Sequence, residues 1–316
     1  VGEDDLVYEA PHMVRVSPDG QYWYVVFYSG QVIQKFRTSD DTYVGSVNIG
    51  PADWNTIIIT PDSKKGFVSA TTAQRTAIIN LETLTLEINI SPEYPHGGFI
   101  TPDGHWLYLT SQLGNFINKV DLTDPFYNFD AIVMQPGASK TTASTLDPHE
   151  MMLSPDGSRY FVSCQKSNEV RVLQTSNDSL LAVIPVGEKP QEFSVSLTHP
   201  YIFVTCTEAY IDPNKKGSVY TLNYNTNSVV SSVYTGYQPH GIAVDDDKDC
   251  VFVTNLNADQ NGPAPHHSSG CGGRNGYLTV IDMTTLQLFR KELSDGSSFQ
   301  YKNELLNFPY YVDYRK

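Results

Sequence analysis

Short hydrophobic runs alternate with polar turns along most of the chain, and the stretch that starts at His149 shows the unit most clearly. His149 to Leu153 is a mostly apolar run, and Ser154-Pro155-Asp156-Gly157 follows it as a turn, since Pro presets φ and Asp and Gly tolerate tight backbone conformations. Arg159 to Cys164 is a second run, rich in aromatic and β-branched residues. Asn168 to Leu173 alternates as a third run, and Ser179 to Val186 supplies a fourth. This pattern predicts four short β-strands joined by turns.

The same unit recurs six times. Each copy begins with a residue that is usually proline. This residue lies seven positions before the Pro of the turn, or before the Leu or Asp that replaces that Pro in the last two copies. The copies start at Pro11, Trp54, Pro95, Pro148, Pro190 and Pro239, which lie 41 to 53 residues apart. Four short strands repeated at such a period are typical of a β-propeller blade, whereas a helical solenoid would show a 3.6-residue periodicity that is missing here. We therefore expect an all-β fold, a β-propeller of four-stranded blades that forms a single domain over residues 1–316.

The number of blades has two readings. Six repeats are complete, and a partial seventh starts near Pro309 with Phe308-Pro309-Tyr310-Tyr311-Val312-Asp313-Tyr314. A ring of six blades with accessory end strands is the alternative, in which Leu6 to Glu9 supplies one of those end strands.

Some of the strand segments resemble a known repeat. Phe203-Val204-Thr205, Phe252-Val253-Thr254-Asn255 and Tyr277 to Asp282, together with Pro239-His240-Gly241 upstream, resemble the YVTN β-propeller repeat. The resemblance extends from residue 11 to about 292. It implies seven blades and a periplasmic or cell-surface location. It says little about function, because such repeats occur in binding proteins, surface-layer proteins and enzyme subunits alike.

Charge and hydropathy limit the partners. The formal net charge is −14, from 21 basic and 35 acidic residues, and no Lys/Arg cluster stands out. A nucleic-acid partner is therefore not expected, since phosphate binding needs a basic face. No apolar run approaches the roughly 18 residues of a membrane span.

The repeat also predicts where the candidate functional residues lie. The first strand of a propeller blade lines the central channel, so the residues that follow the opening residue of each repeat surround one mouth of that channel. Four of them are histidines, and Glu150 and Glu192 come directly after two members of the set. A long loop, 256–275, opens on the same face. The predicted ligand-binding residues are His12, Asn55, His96, His149, Glu150, Gln191, Glu192, His240 and Arg274.

Imidazole, thiolate and carboxylate groups that converge on one cavity are what Cu, Zn or Fe requires. The predicted metal ligands are His12, His96, His149, His240, His266, His267 and Cys271. The alternative is structural: the histidine of each repeat hydrogen-bonds the backbone of the neighbouring blade.

Three functions follow from these residues. The first is an extracytoplasmic binding module that presents a small ligand, metal or protein partner with a His-rich site at the channel mouth. The second is a metal- or haem-dependent redox enzyme, or its propeller subunit, with a further domain such as a cytochrome beyond residue 316. The third is a lactonase- or lyase-like enzyme in which His149 or His240 acts as general base beside Glu150. No nucleophile-base-acid pattern is visible, and Ser268 beside His267 lacks the strand-elbow-helix context, which sets hydrolase chemistry of that type aside. The first, non-enzymatic hypothesis is the one we favour, and the two enzymatic ones stay open.

Overall fold

A computed structural model describes residues 11–207, 216–257, 276–294, 297–305 and 312–313. In these ranges the chain forms 26 β-strands. The described residues contain no helix, and therefore no helix long and apolar enough to cross a membrane. The predicted all-β fold of four-stranded blades is confirmed.

Four blades are separate antiparallel sheets, each formed by four consecutive strands. Blade one contains β1 (Pro11–Val16), β2 (Tyr22–Phe27), β3 (Val32–Arg37) and β4 (Tyr43–Asn48). Blade two contains β5 (Trp54–Ile59), β6 (Lys65–Ala70), β7 (Arg75–Asn80) and β8 (Thr85–Ile90). Blade three contains β9 (Pro95–Ile100), β10 (Trp106–Ser111), β11 (Phe116–Asp121) and β12 (Phe129–Val133). Blade four contains β13 (Pro148–Leu153), β14 (Arg159–Cys164), β15 (Glu169–Gln174) and β16 (Leu180–Pro185).

Blades five and six share one long strand. Blade five contains β17 (Pro190–Val195), β18 (Tyr201–Cys206), β19 (Gly217–Asn223) and the first half of β20 (Ser228–Asp245). From Tyr237 onward β20 pairs with β21 (Cys250–Asn257) and becomes the inner strand of blade six. The blade continues with β22 (Gly276–Asp282), whose outer neighbours are β23 (Gln287–Leu288) and β26 (Lys302–Leu305). Between these two lies a hairpin of β24 (Arg290–Glu292) and β25 (Ser298–Gln300).

Hydrophobic clusters join consecutive blades. One contains Tyr24 of blade one and Trp54 of blade two, and another contains Tyr108 of blade three and Tyr160 of blade four. Each of these side chains is at most 1 % exposed, and full burial of a large apolar side chain stabilises a fold by about 1.5–3 kcal/mol. Aromatic residues of the second strands thus fill the space between blades.

The Pro-Asp turns are held by their own side chains. The Asp156 carboxylate accepts hydrogen bonds from Ser154 Oγ at 2.6 Å and from the Ser158 backbone N–H at 3.1 Å. Asp19, Asp62 and Asp103 make the equivalent contacts in the first three blades. These four aspartates therefore stabilise the turns, and this turn face lies opposite the histidines.

Each of the six inner strands that the structure describes has one extra residue near its start. In β13, Pro148 lies opposite Cys164 and Met151 lies opposite Val162, so His149 and Glu150 together face a single residue of β14. The same register shift occurs in β1, β5, β9, β17 and the second half of β20. Such a β-bulge redirects side chains locally.

Side-chain hydrogen bonds join consecutive blades at the same backbone atom. This atom is the carbonyl oxygen of the second residue of each repeat, and we term it the second-position carbonyl. In three joints the donor is a hydroxyl of the preceding blade's second strand: Thr110 to His149 O (2.9 Å), Ser163 to Gln191 O (2.7 Å) and Thr205 to His240 O (2.8 Å). In the first two joints His12 Nδ1 donates to Asn55 O (2.8 Å) and Thr56 Oγ1 donates to His96 O (2.6 Å). All five joints between the six blades are therefore bonded at the same place.

Asp313 marks a further position in the ring. Its Oδ2 accepts a hydrogen bond from the backbone N–H of Val16, the last residue of β1, at 2.8 Å. Ser194 Oγ of β17 makes the same contact with the N–H of Val244 in the next blade, at 2.9 Å. Asp313 and Ser194 are each the fifth residue of their repeats, counted from Pro309 and Pro190. The contact favours a seventh inner position beside blade one.

Loss of one joint hydroxyl should weaken the fold. Thr205→Val keeps the side-chain shape but leaves the His240 carbonyl and the Glu192 N–H, which bonds Thr205 Oγ1 at 3.2 Å, without this partner. We expect a loss of about 1–3 kcal/mol in unfolding free energy, because buried polar groups lose a hydrogen bond. Equilibrium urea denaturation measures the change.

Thr226→Val is the matched control, since this exposed hydroxyl bonds only locally, to Ser228 Oγ. A loss in Thr205→Val no larger than in Thr226→Val would show that the joint hydroxyl contributes nothing.

Candidate functional site in the central channel

The bulge brings two consecutive residues of an inner strand to the channel. His149 contacts the ring of His240 across the channel, and its neighbour Glu150 lines the cavity beneath. In a regular strand, consecutive side chains point to opposite faces. The extra residue removes this alternation, so a row of histidines and a row of carboxyls both face inward.

The four repeat histidines come together in the channel, all at most 6 % exposed. The ring centroids of His96 and His149 are 4.1 Å apart. Those of His149 and His240 are 6.1 Å apart, and those of His12 and His240 are 6.3 Å apart, both edge to face. The structure therefore brings together the histidines that the sequence places at one mouth.

Two of these histidines hold the scaffold. His12 Nδ1 donates to the second-position carbonyl of Asn55, and His96 Nδ1 donates to that of His149 at 3.1 Å. This is the structural alternative that the sequence left open. His149 differs, because its Nδ1 contacts the side-chain amide of Gln112 at 3.2 Å.

His149, Glu192 and His240 form a compact group of possible metal ligands. One donor atom from each lies within 4.8 Å of the others, and all three residues are buried. His149 Nε2 and Glu192 Oε1 are 3.5 Å apart. Burial lowers the pKa of His149 to about 4 and raises the pKa of Glu192 to about 7. Near neutral pH the His149 imidazole is therefore uncharged, so this contact is not an ion pair.

A second carboxyl, Glu150, adjoins Glu192. Burial and the charge of Glu192 raise the pKa of Glu150 to about 8, while the Met151 N–H, which donates to Oε1 at 2.8 Å, and Arg15 oppose the shift. The Arg15 guanidinium also lowers the pKa of Glu192. Arg15 thus acts on both carboxyls from blade one.

A cavity of about 220 Å³ lies on the turn side of these carboxyls. Arg15, Glu150 and Glu192 supply its polar lining, and it extends as far as Pro18 of the first Ser-Pro-Asp-Gly turn. Its walls are apolar: Ile57, Ile58, Phe99, Met151, Met152 and Phe193. The space in the channel therefore runs toward the turn face, away from the mouth at which the repeats place the histidines.

The remaining predicted residues fall into two groups. Asn55 Oδ1 accepts hydrogen bonds from the backbone N–H and hydroxyl of Thr71, and Gln191 bonds the Gln165 side chain and the Lys189 carbonyl. Both are therefore engaged in local contacts at the rim. Arg274, His266, His267 and Cys271 lie outside the described residues.

Sequence reasoning missed Arg15 and Gly97. Arg15 stands out as a cation within a mostly apolar inner strand, a signal that a survey of that position in every repeat would find. Gly97 faces the Glu150 carboxyl so closely that a Cβ at residue 97 would occupy the same space. Gly97 is the third residue of its repeat, the position that Glu150 and Glu192 hold in the repeats of blades four and five. A glycine there is the sequence signal that could have indicated this close approach.

Comparison with known proteins identifies the architecture. No known family profile and no curated protein sequence matches the chain. The Cps50 (Swd1) β-propeller domain of Myceliophteria thermophila has a TM-score of 0.72 at 7 % identity, covering 98 % of this chain and 92 % of that one. The RRP9 WD40 repeats give 0.69 at 12 % identity, with coverages of 99 % and 86 %. The fold is a β-propeller.

Kuenenia stuttgartiensis hydrazine synthase is a third similar structure, with a TM-score of 0.66 at 16 % identity over 89 % of this chain and 78 % of that one. At these identities the similarity establishes the fold alone. Membership of the YVTN repeat family stays a prediction.

Acid should destabilise the metal-free protein through His12. Burial lowers the pKa of His12 to about 4, against about 6.5 in an unfolded chain. The unfolded state therefore binds more protons between these values, and stability falls as the pH drops from about 6.5 to about 4, by about 3 kcal/mol for this one group.

Urea denaturation of the wild-type protein and of His12→Gln across that pH range measures the difference. The Gln variant should lose stability less steeply, and His105→Gln, at an exposed side chain, should follow the wild type. Equal slopes in all three proteins would contradict the assignment.

Gly97→Ala should destabilise the protein because the new methyl group meets the Glu150 carboxyl. The substitution should cost less in a Glu150→Ala background, where the space is vacant. We expect a coupling of about 0.5–3 kcal/mol in a double-mutant cycle of unfolding free energies. The same cost in both backgrounds would show that the two residues do not compete for space.

Proposed function

We propose that this β-propeller is a binding module that holds one divalent transition-metal ion in its channel, with His149, Glu192 and His240 as ligands. The observation that carries the proposal is the convergence of these three buried donors within 4.8 Å. Ligands about 2.1 Å from a common ion lie roughly 3–4 Å from one another. The side chains need only small movements to reach that geometry.

The donor set favours particular ions. Two imidazoles and one carboxylate suit Zn²⁺, Fe²⁺ or Cu²⁺, whereas Ca²⁺ and Mg²⁺ prefer all-oxygen sites. A ligating histidine commonly donates its other ring N–H to a fixed acceptor. Gln112 can supply this acceptor to His149 Nδ1 when its amide presents oxygen rather than nitrogen, a choice that only the hydrogen-bond network decides.

His12 and His96 support the site rather than coordinate the ion in this proposal. Each uses Nδ1 to hold a second-position carbonyl, and His96 holds that of the ligand His149 itself. Glu192, which the sequence suggested only as a ligand-binding residue, replaces them in the metal set.

A redox enzyme is the second candidate function. Two histidines and one carboxylate that leave coordination positions open are the arrangement used by non-haem Fe(II) oxygenases. With either function we propose the extracytoplasmic location that the resemblance to YVTN repeats implies.

The proposal predicts one strong metal site per chain. Protein stripped with a chelator should bind one equivalent of Zn²⁺ or Co²⁺ in calorimetric titration. His240→Ala and Glu192→Gln should each weaken binding by at least about 100-fold, more than loss of an outer-shell partner would. Metal analysis by mass spectrometry on protein purified without chelators supplies the stoichiometry.

Two control variants complete the experiment. His105→Ala removes an exposed histidine and should leave metal affinity unchanged. His96→Gln tests the four-histidine ring, because a loss as large as in His240→Ala would assign the ion to the ring instead. Absence of binding by the wild-type protein would overturn the proposal.

A further inference from the structure

The channel is layered along its axis. The histidines occupy the layer of second positions, the carboxyls of Glu150 and Glu192 occupy the next layer, and the apolar cavity follows toward the turn face. Glu192 belongs both to the group of metal ligands and to the cavity lining. An ion held by His149, Glu192 and His240 would thus lie at the inner end of this cavity.

Three protein ligands leave coordination positions open. The imidazoles of His149 and His240 approach from the histidine layer. The open positions would therefore face the cavity, which reaches the turn face at Pro18.

Charge at the inner end of the cavity selects the sign of a ligand. A divalent ion and the Arg15 guanidinium would together supply three positive charges, and the carboxyls of Glu150 and Glu192 in the lining and of Asp313 beside blade one supply at most three negative charges. The inner end of the cavity therefore carries no net negative charge when the ion is bound. The open positions of the ion and the planar donors of Arg15 both favour an anionic end group over a cationic one.

The walls select the rest of the molecule. Apart from Arg15, Glu150 and Glu192, the lining is hydrocarbon or thioether, including Ile58, Phe99 and Met152. A volume of about 220 Å³ corresponds to about seven water molecules at roughly 30 Å³ each. The cavity offers hydrogen-bond partners only at its inner end. A ligand of this volume should therefore be apolar except for one charged end group.

We propose that the cavity binds a short-chain monocarboxylate, with its carboxylate on the metal ion and Arg15 and its chain against the apolar walls. This inference rests on the proposed function, since the ion supplies most of the positive charge. An Arg guanidinium pairs well with a carboxylate because its planar donors match the two oxygens.

The test uses the Co²⁺-loaded full chain and butyrate as the probe. Butyrate should change the visible spectrum of the bound Co²⁺ and should bind in a saturable way. Arg15→Met should weaken butyrate binding by about 10- to 100-fold, the equivalent of a charge-assisted hydrogen bond. Met152→Trp, which fills the cavity, should weaken butyrate more than formate.

Arg37→Met is the matched control, because this Arg is half exposed and pairs with Asp40 on the outer surface. Butylammonium, the cation of similar size, should not compete with butyrate. Co²⁺ stoichiometry is measured in every variant.

The outcomes separate the two proposals. A chain that binds no Co²⁺ fails the metal proposal. A chain that binds Co²⁺ but shows no spectral change or saturation with butyrate fails only the carboxylate proposal. Equal butyrate affinity in Arg15→Met and Arg37→Met, or binding of butylammonium instead of butyrate, also overturns it.

Discussion

Each of the five described joints, those between blades one and six, includes a hydrogen bond to the second-position carbonyl. A propeller blade shares no backbone ladder with the next blade unless a strand runs through both, as β20 does. Hydrophobic packing between blades is non-directional, so it leaves neighbouring blades some freedom to slide. A short hydrogen bond from Thr110, Ser163 or Thr205 to a buried carbonyl removes that freedom. A sliding blade would leave a buried acceptor unsatisfied, at a cost of about 1–3 kcal/mol.

The same joints determine the geometry of the channel site. The carbonyls of His149 and His240 are fixed by the preceding blades, and their imidazoles project from those same residues. Thr205 Oγ1 also accepts the backbone N–H of Glu192, so one hydroxyl positions the backbone of two members of the group. Donors from three blades can then meet within a few ångströms, because each is anchored at its own main chain.

The four-stranded blade and the position of the histidines could be predicted from the sequence, because both depend on local signals. The turn chemistry of Ser154 to Gly157 and the apolar runs beside it are visible in one segment, and repetition locates the inner strand. The bulge was not predictable in this way, since an extra residue is defined only by the register with a partner strand. One residue of register moves a side chain to the opposite face. This explains why Glu150 and Glu192 could be named but not placed, and why Arg15, three residues after His12, was overlooked.

The candidate site is formed by the same contacts that hold the blades together. His96 uses one nitrogen to hold the His149 carbonyl while its ring lies 4.1 Å from that of His149, so support and site are the same set of contacts. Buried imidazoles and carboxyls oppose folding unless partners compensate for their desolvation. In the proposed function, an ion at their centre would provide that compensation, and its positive charge would favour an anion at the inner end of an otherwise apolar cavity. The carboxyl layer would then link the metal ion to the ligand.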